Sequence, residues 1–163
     1  MELKDYQKET LKQVKLYLES LSSQKRKYDK FRELDPEYDS DFTKKAWESV
    51  TDAQFTSKRN GLGEYLPNFC LKVPTGGGKT LLATYMLDLI QNHYINNKAG
   101  LVLWIVPTSQ IYRQTLSVLR NREHPYRQAL DVSSGGRTII LEKGNHFTPQ
   151  DISENLCIMI LML

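Results

Sequence analysis

The sequence predicts an α/β fold, a parallel sheet with helices on both faces, preceded by a helical N-terminal segment. Two observations carry this. From residue 68 onward, short apolar runs alternate with amphipathic stretches of helical spacing. The first junction between them is a glycine-rich loop that opens directly into a helix. Apolar strands separated by helices need crossover connections, and such connections bury a parallel sheet between helical layers. The expected boundary divides a helical segment with a charged insertion (residues 1–66) from an α/β part (residues 67–163).

The elements follow in order. In "DYQKETLKQVKLYLESL", Leu11, Val14, Leu18 and Leu21 recur at helical spacing, and Asp5 is the expected N-cap. Residues 22–45 mix both charge signs with a few aromatics, which reads as a solvated connector or a loose helical insertion. "AWESVTDAQF" suits a short helix and "NGLGEYLP" a turn-rich boundary. "NFCLKV" is expected as a strand, "PTGGG" as the loop and "KTLLATYMLDLIQNHYI" as a helix fading at "NNKAG". "LVLWIV" is a second strand, and "PTSQIYRQTLSVLR" a helix with Thr108 near its start. "DVSSGGRTI" holds Arg137 beside two glycines and is read as a turn, the alternative being a minor backbone contact, and "TIILEK" is read as a third strand. "TPQDISEN" opens a helix with Thr148 as N-cap, Pro149 at the first helical position and Asp151 in the first turn. "LCIMILML" is the last strand.

Composition limits the function classes. A chain of 163 residues supports one domain with a real core and little more. A net charge of +3 makes no bulk case for nucleic acid. Cys70 and Cys157 are single residues in apolar runs, without disulfide or metal spacing, which suits a reducing cytoplasm. The charged N-terminus has no apolar signal core, and no apolar run approaches a membrane span. His93, His124 and His146 are scattered, with no metal-ligand spacing around them. Trp47 and Trp104 are expected in the core.

The chemistry concentrates in "KVPTGGGKTLLATYM". Thr75, Gly76, Gly77 and Gly78 form a loop whose N–H groups can approach phosphate oxygens with no Cβ in the way. Lys79 is placed to reach the β- and γ-phosphates, and the Thr80 hydroxyl to ligate Mg²⁺. The strict P-loop spelling puts a glycine where this chain has Val73. Val73 ends the expected strand, and the three glycines that follow still supply the turn. The alternative is a glycine-rich loop serving packing alone. A second feature, "PTSQIYRQT", offers Thr108 and Ser109 at a helix start with Arg113 one turn in. From the residues alone, a phosphate-backbone contact and a plain N-capped helix with Arg113 in solvent fit equally well.

"VPTGGGKT" followed by "WIVPTSQIYRQT", with "DYQ" near the N-terminus, resembles the motor of superfamily 2 helicases, the DEAD/DEAH-like group. Within that group it is most similar to the Res subunit of type III restriction enzymes. The resemblance is close over residues 64–115 and loose elsewhere, and helicases of this superfamily often replace the first P-loop glycine. It implies a RecA-like, ATP- and Mg²⁺-dependent motor acting on DNA, with residues 67–163 as the first part of the ATP-binding domain. It also implies that "PTSQIYRQT" is the motif that holds the sugar-phosphate backbone. Ser109 stands where arginine is frequent, which leaves open which side chain meets the phosphate. Gln7 matches the glutamine that reads adenine, although it lies 72 positions before Lys79, a longer spacing than in many relatives. The bland alternative for Gln7 is an exposed helix residue.

Hydrolysis needs an acidic pair for Mg²⁺ and water, and no D-E-x-H pattern occurs in these residues. The chain is therefore expected to be an N-terminal piece of a longer protein and inactive by itself. A second motor domain, a nuclease domain and a methyltransferase partner subunit are implied only by the resemblance. The competing readings are another superfamily 2 helicase acting on DNA or RNA, a small self-contained NTPase, and a nucleotide-binding remnant without turnover.

Overall fold

The computed structural model describes residues 2–163, which form two compact units, Leu3–Gly77 and Gly78–Leu163 together with Glu2. In the first, helix α1 (Asp5–Leu34) packs against α2 (Phe42–Glu48). The buried stripe of α1 is Gln7, Val14, Tyr17, Leu18 and Leu21, which keeps one face of a 3.6-residue helix inward. Each of these leucines contributes about 1.5–3 kcal/mol by leaving water.

Three expectations change here. Asp5 is not the cap but the first residue of the helix; Lys4 is the N-cap, and its backbone N–H donates to Gln7 Oε1 at 2.9 Å. Of the two readings of residues 22–45, residues 22–34 take the helical one, as a continuation of α1 and not a separate insertion, because lysine, arginine and glutamate are good helix formers. The helix stops before Pro36, which disfavours helical geometry at Asp35. The segment after it folds back on an aromatic cluster of Tyr28, Phe31, Tyr38, Phe42 and Tyr65. Arg59 donates to both Asp39 oxygens at 3.0 and 2.8 Å and stacks 3.8 Å above the Tyr65 ring. Burial, with a hydrogen bond to Asp39, pushes the Tyr65 phenol up to about 12. The short helix begins at Phe42, earlier than expected, because Asp41 accepts from the N–H groups of Thr43 and Lys44 at 2.9 Å.

"NFCLKV" forms no strand. It has the alternation of one: Phe69, Leu71 and Val73 are half-buried while Cys70 and Lys72 are exposed. Its anchors lie within its own unit, where Phe69 meets Tyr17 edge-on and the Tyr17 hydroxyl donates to Asn68 O at 3.4 Å. With no ladder partner, period-2 burial alone does not make a strand.

The second unit begins with α3 (Lys79–Ile90), extended by a π-helical turn, Gln91–Ile95, and ended by Asn96 in the left-handed region at φ 54°. Strand β1 (Gly100–Val106), helices α4 (Ser109–Arg120) and α5 (Pro125–Ser134), strand β2 (Thr138–Glu142), helix α6 (Pro149–Glu154) and strand β3 (Leu156–Met162) follow. The strands form a parallel sheet in the order β1-β3-β2. Leu156, Ile158 and Ile160 pack with Leu119 of α4 and Leu130 of α5, while Trp104 is half-buried against this core. On the other face, Cys157 lies within reach of α6, its Sγ 3.5 Å from Asp151 O. Leu101, Leu103 and Ile105 of β1 remain exposed on that face. The α/β architecture with helices on both sides of a parallel sheet is thus present.

Helix α5 is the element that the sequence reading lacks. Its signals are local: His124 caps it, Pro125 takes its first position, and Gly135 closes it at φ 66°. The turn expected over "DVSSGGRTI" is confined to Gly135–Gly136, since Asp131–Ser134 belong to α5 and β2 starts at Thr138; Arg137 is exposed between them. Arg127 of α5 is the least expected residue of the core. It is 5% exposed, pairs with Asp131, and donates to the carbonyls of Leu119 and Thr138. One guanidinium thereby joins the end of α4 to the start of β2.

Candidate functional site

The loop of residues 74–78 is shaped by its glycines. Gly76 and Gly78 take φ values of 75° and 78°, a region costly for residues with a Cβ. Gly77 is required for another reason: it is buried, and a Cβ there would lie 2.7 Å from Val73 Cγ1 and 2.9 Å from Pro74 O. The Gly77 N–H turns back to Pro74 O at 3.0 Å, which closes the loop. Val73, the departure from the strict motif, is therefore a wall of the turn itself.

Helix α3, like α1, starts without a side-chain cap. Asp41, Thr108, His124 and Thr148 each place a side-chain acceptor over the first N–H groups of α2, α4, α5 and α6. Gly78 places none over α3. The Leu82 N–H donates to Gly78 O at 2.9 Å, the bond that opens the helix ladder. Lys79 is exposed and Thr80 half-buried, both in the first turn. A tight glycine turn and a helix start without a side-chain cap fit an anionic phosphate chain.

Gln7 is placed differently from a solvent-facing helix residue. It is 4% exposed, and its Nε2 donates to Gly77 O at 3.1 Å while its Oε1 accepts from Lys4 N. Tyr6 donates to the same Gly77 oxygen through its hydroxyl at 2.8 Å. Sequence reading gave no signal for this double contact, since its partners lie about seventy residues apart.

At the carboxyl end of β1, Thr108 caps α4, its Oγ1 accepting from Ile111 N at 3.3 Å. Ser109 and Arg113 are exposed on the first turns of the same helix. The structure thus brings together Tyr6, Gln7 and Gly77 in one group and Thr108, Ser109 and Arg113 in another. Gly78, Lys79 and Thr80 continue the loop into α3. Among the described residues, no helix is long and apolar enough to cross a membrane.

A glycine loop running into a helix and followed by a parallel sheet is the loop–helix part of the P-loop arrangement, whose preceding strand is not formed here. The family model described as type III restriction enzyme, res subunit, matches residues 1–159, and the chain belongs to that family. At family level this carries a RecA-like fold and a helicase-like, ATP-dependent function of the Res type that involves DNA. No curated protein and no solved structure gave a match.

Proposed function

We propose that the chain forms part of an ATP-dependent DNA translocase, with residues 67–163 contributing to its first motor domain. In this reading Thr75, Gly76, Gly77, Gly78, Lys79 and Thr80 bind the phosphates of Mg²⁺–ATP. The observation that carries it is the conjunction of a glycine-walled turn with a helix start left without a side-chain cap. The loop's N–H groups and the first turn of α3 favour negative charge, and Lys79 adds a full cation near the terminal phosphates. Thr80 offers a hydroxyl oxygen to Mg²⁺, an ion that ordinarily keeps several waters and few protein ligands. When bound, Mg²⁺ neutralises phosphate charge and so eases phosphoryl transfer. Gln7 is proposed to lie close to the nucleotide, although both ends of its amide are engaged in this structure.

The DNA contact proposed is the start of α4. The N–H groups of Ser109 and Gln110 precede the first intrahelical bond, from Tyr112 N to Thr108 O at 2.9 Å. Thr108 still has its hydroxyl proton to donate, Ser109 adds a second hydroxyl, and Arg113 projects one turn further along. Such groups position a backbone and carry no sequence preference. Arg113→Ala is expected to weaken binding about equally on unrelated DNA sequences. The salt dependence should become shallower by about one phosphate contact in titrations at several salt concentrations. Unchanged affinity with unchanged slope would make Arg113 a solvent residue.

A further inference from the structure

We propose that Tyr6 is a positioning residue of the phosphate loop, holding the Gly77–Gly78 peptide in the orientation that nucleotide binding requires. This rests on the reading of residues 75–80 as the phosphate site.

The argument begins with the peptide plane. In a trans peptide the carbonyl of Gly77 and the N–H of Gly78 point in opposite directions. A glycine-rich loop can flip such a plane cheaply, because glycine tolerates both signs of φ. One orientation offers an N–H to the anion, and the flipped one offers a carbonyl oxygen that repels it. Here the Gly77 oxygen accepts two hydrogen bonds, from the Tyr6 hydroxyl at 2.8 Å and from Gln7 Nε2 at 3.1 Å. Both donors come from the first turn of α1, so the carbonyl is fastened towards that helix and the Gly78 N–H is directed away from it. Flipping the plane would break both bonds and leave the buried Gln7 amide unpaired. Gln7 needs its place in the helix cap, since its Oε1 also accepts from Lys4 N. Tyr6 has no such second duty: its ring is partly exposed, and its hydroxyl bond to Gly77 is what ties it to the loop.

Tyr6→Phe removes that hydroxyl and keeps the ring. Losing one hydrogen bond of ordinary strength should weaken phosphate binding roughly three- to tenfold. The loss should be the same for ATP, GTP and inorganic pyrophosphate, because the peptide meets phosphate and not base. The carbonyl-carbon NMR resonance of Gly77 should shift in the ligand-free variant, with the melting temperature nearly unchanged. Titrations of wild type, Tyr6→Phe and Lys79→Ala with the three ligands, alongside the carbonyl spectrum, test this. A shifted resonance with equal losses supports the inference. Intact wild-type binding with an unmoved resonance or unmoved affinities in Tyr6→Phe overturns it alone, as does a loss confined to ATP. Absence of binding by the wild type, with Lys79→Ala no different, overturns the nucleotide reading and this inference with it.

Discussion

Lys79→Ala is expected to lower the affinity for Mg²⁺–ATP by on the order of 10- to 100-fold while leaving the fold in place. A hydrogen bond to a charged partner contributes about 1.5–3 kcal/mol, and each 1.4 kcal/mol is a factor of ten. Lys79 is the first residue of α3 and exposed, so its truncation opens no cavity. Alanine is also the best helix former, which keeps the start of α3 intact. The glycine turn and the start of α3 remain in the variant, so residual weak binding should survive. Isothermal titration of the two proteins measures the difference. Equal affinities would remove Lys79 from the site.

The second large effect concerns stability. Arg127→Ala is expected to destabilise the protein by about 3 kcal/mol, within the range for breaking a buried ion pair. Arg127 Nε donates to Asp131 Oδ1 at 2.9 Å, Nη1 to Leu119 O at 3.0 Å and Nη2 to Thr138 O at 2.9 Å. Removing the side chain strands two buried carbonyls and the Asp131 carboxylate, and opens a cavity between α4, α5 and β2. Arg127→Lys should recover only part of the loss, because an ammonium cannot make the three divergent bonds of a guanidinium. Urea unfolding with an unchanged m-value measures this. A change below about 1 kcal/mol would show that water replaces these bonds without penalty.

What could be read from the sequence follows how local its signal is. The starts of α4 and α6 are legible because Thr108 and Thr148 cap helices within three residues of themselves. Strands β1 and β3 are legible as apolar runs, and their parallel pairing follows from the helices between them. "NFCLKV" has a strand's alternation, but pairing depends on a partner far along the chain, and no local pattern reports that. The second half of α1 reads equally as a solvated connector or a helical insertion, because mixed charge marks solvation as readily as helix. Arg127 was illegible, since an arginine in an amphipathic stretch is usually at the surface. In the site, the loop itself is local and legible in "PTGGGKT". Its fastening by Tyr6 and Gln7 is a contact across some seventy residues and was not.

The central claim is that residues 76–80 hold nucleotide phosphates, and an amide NMR titration with Mg²⁺–ATP tests it most directly. The account predicts saturable shifts concentrated at Gly76, Gly77, Gly78, Lys79 and Thr80, reproduced in part by pyrophosphate and much weakened in Lys79→Ala. Saturating ATP that leaves these five amides unmoved, or moves only resonances elsewhere, would contradict it.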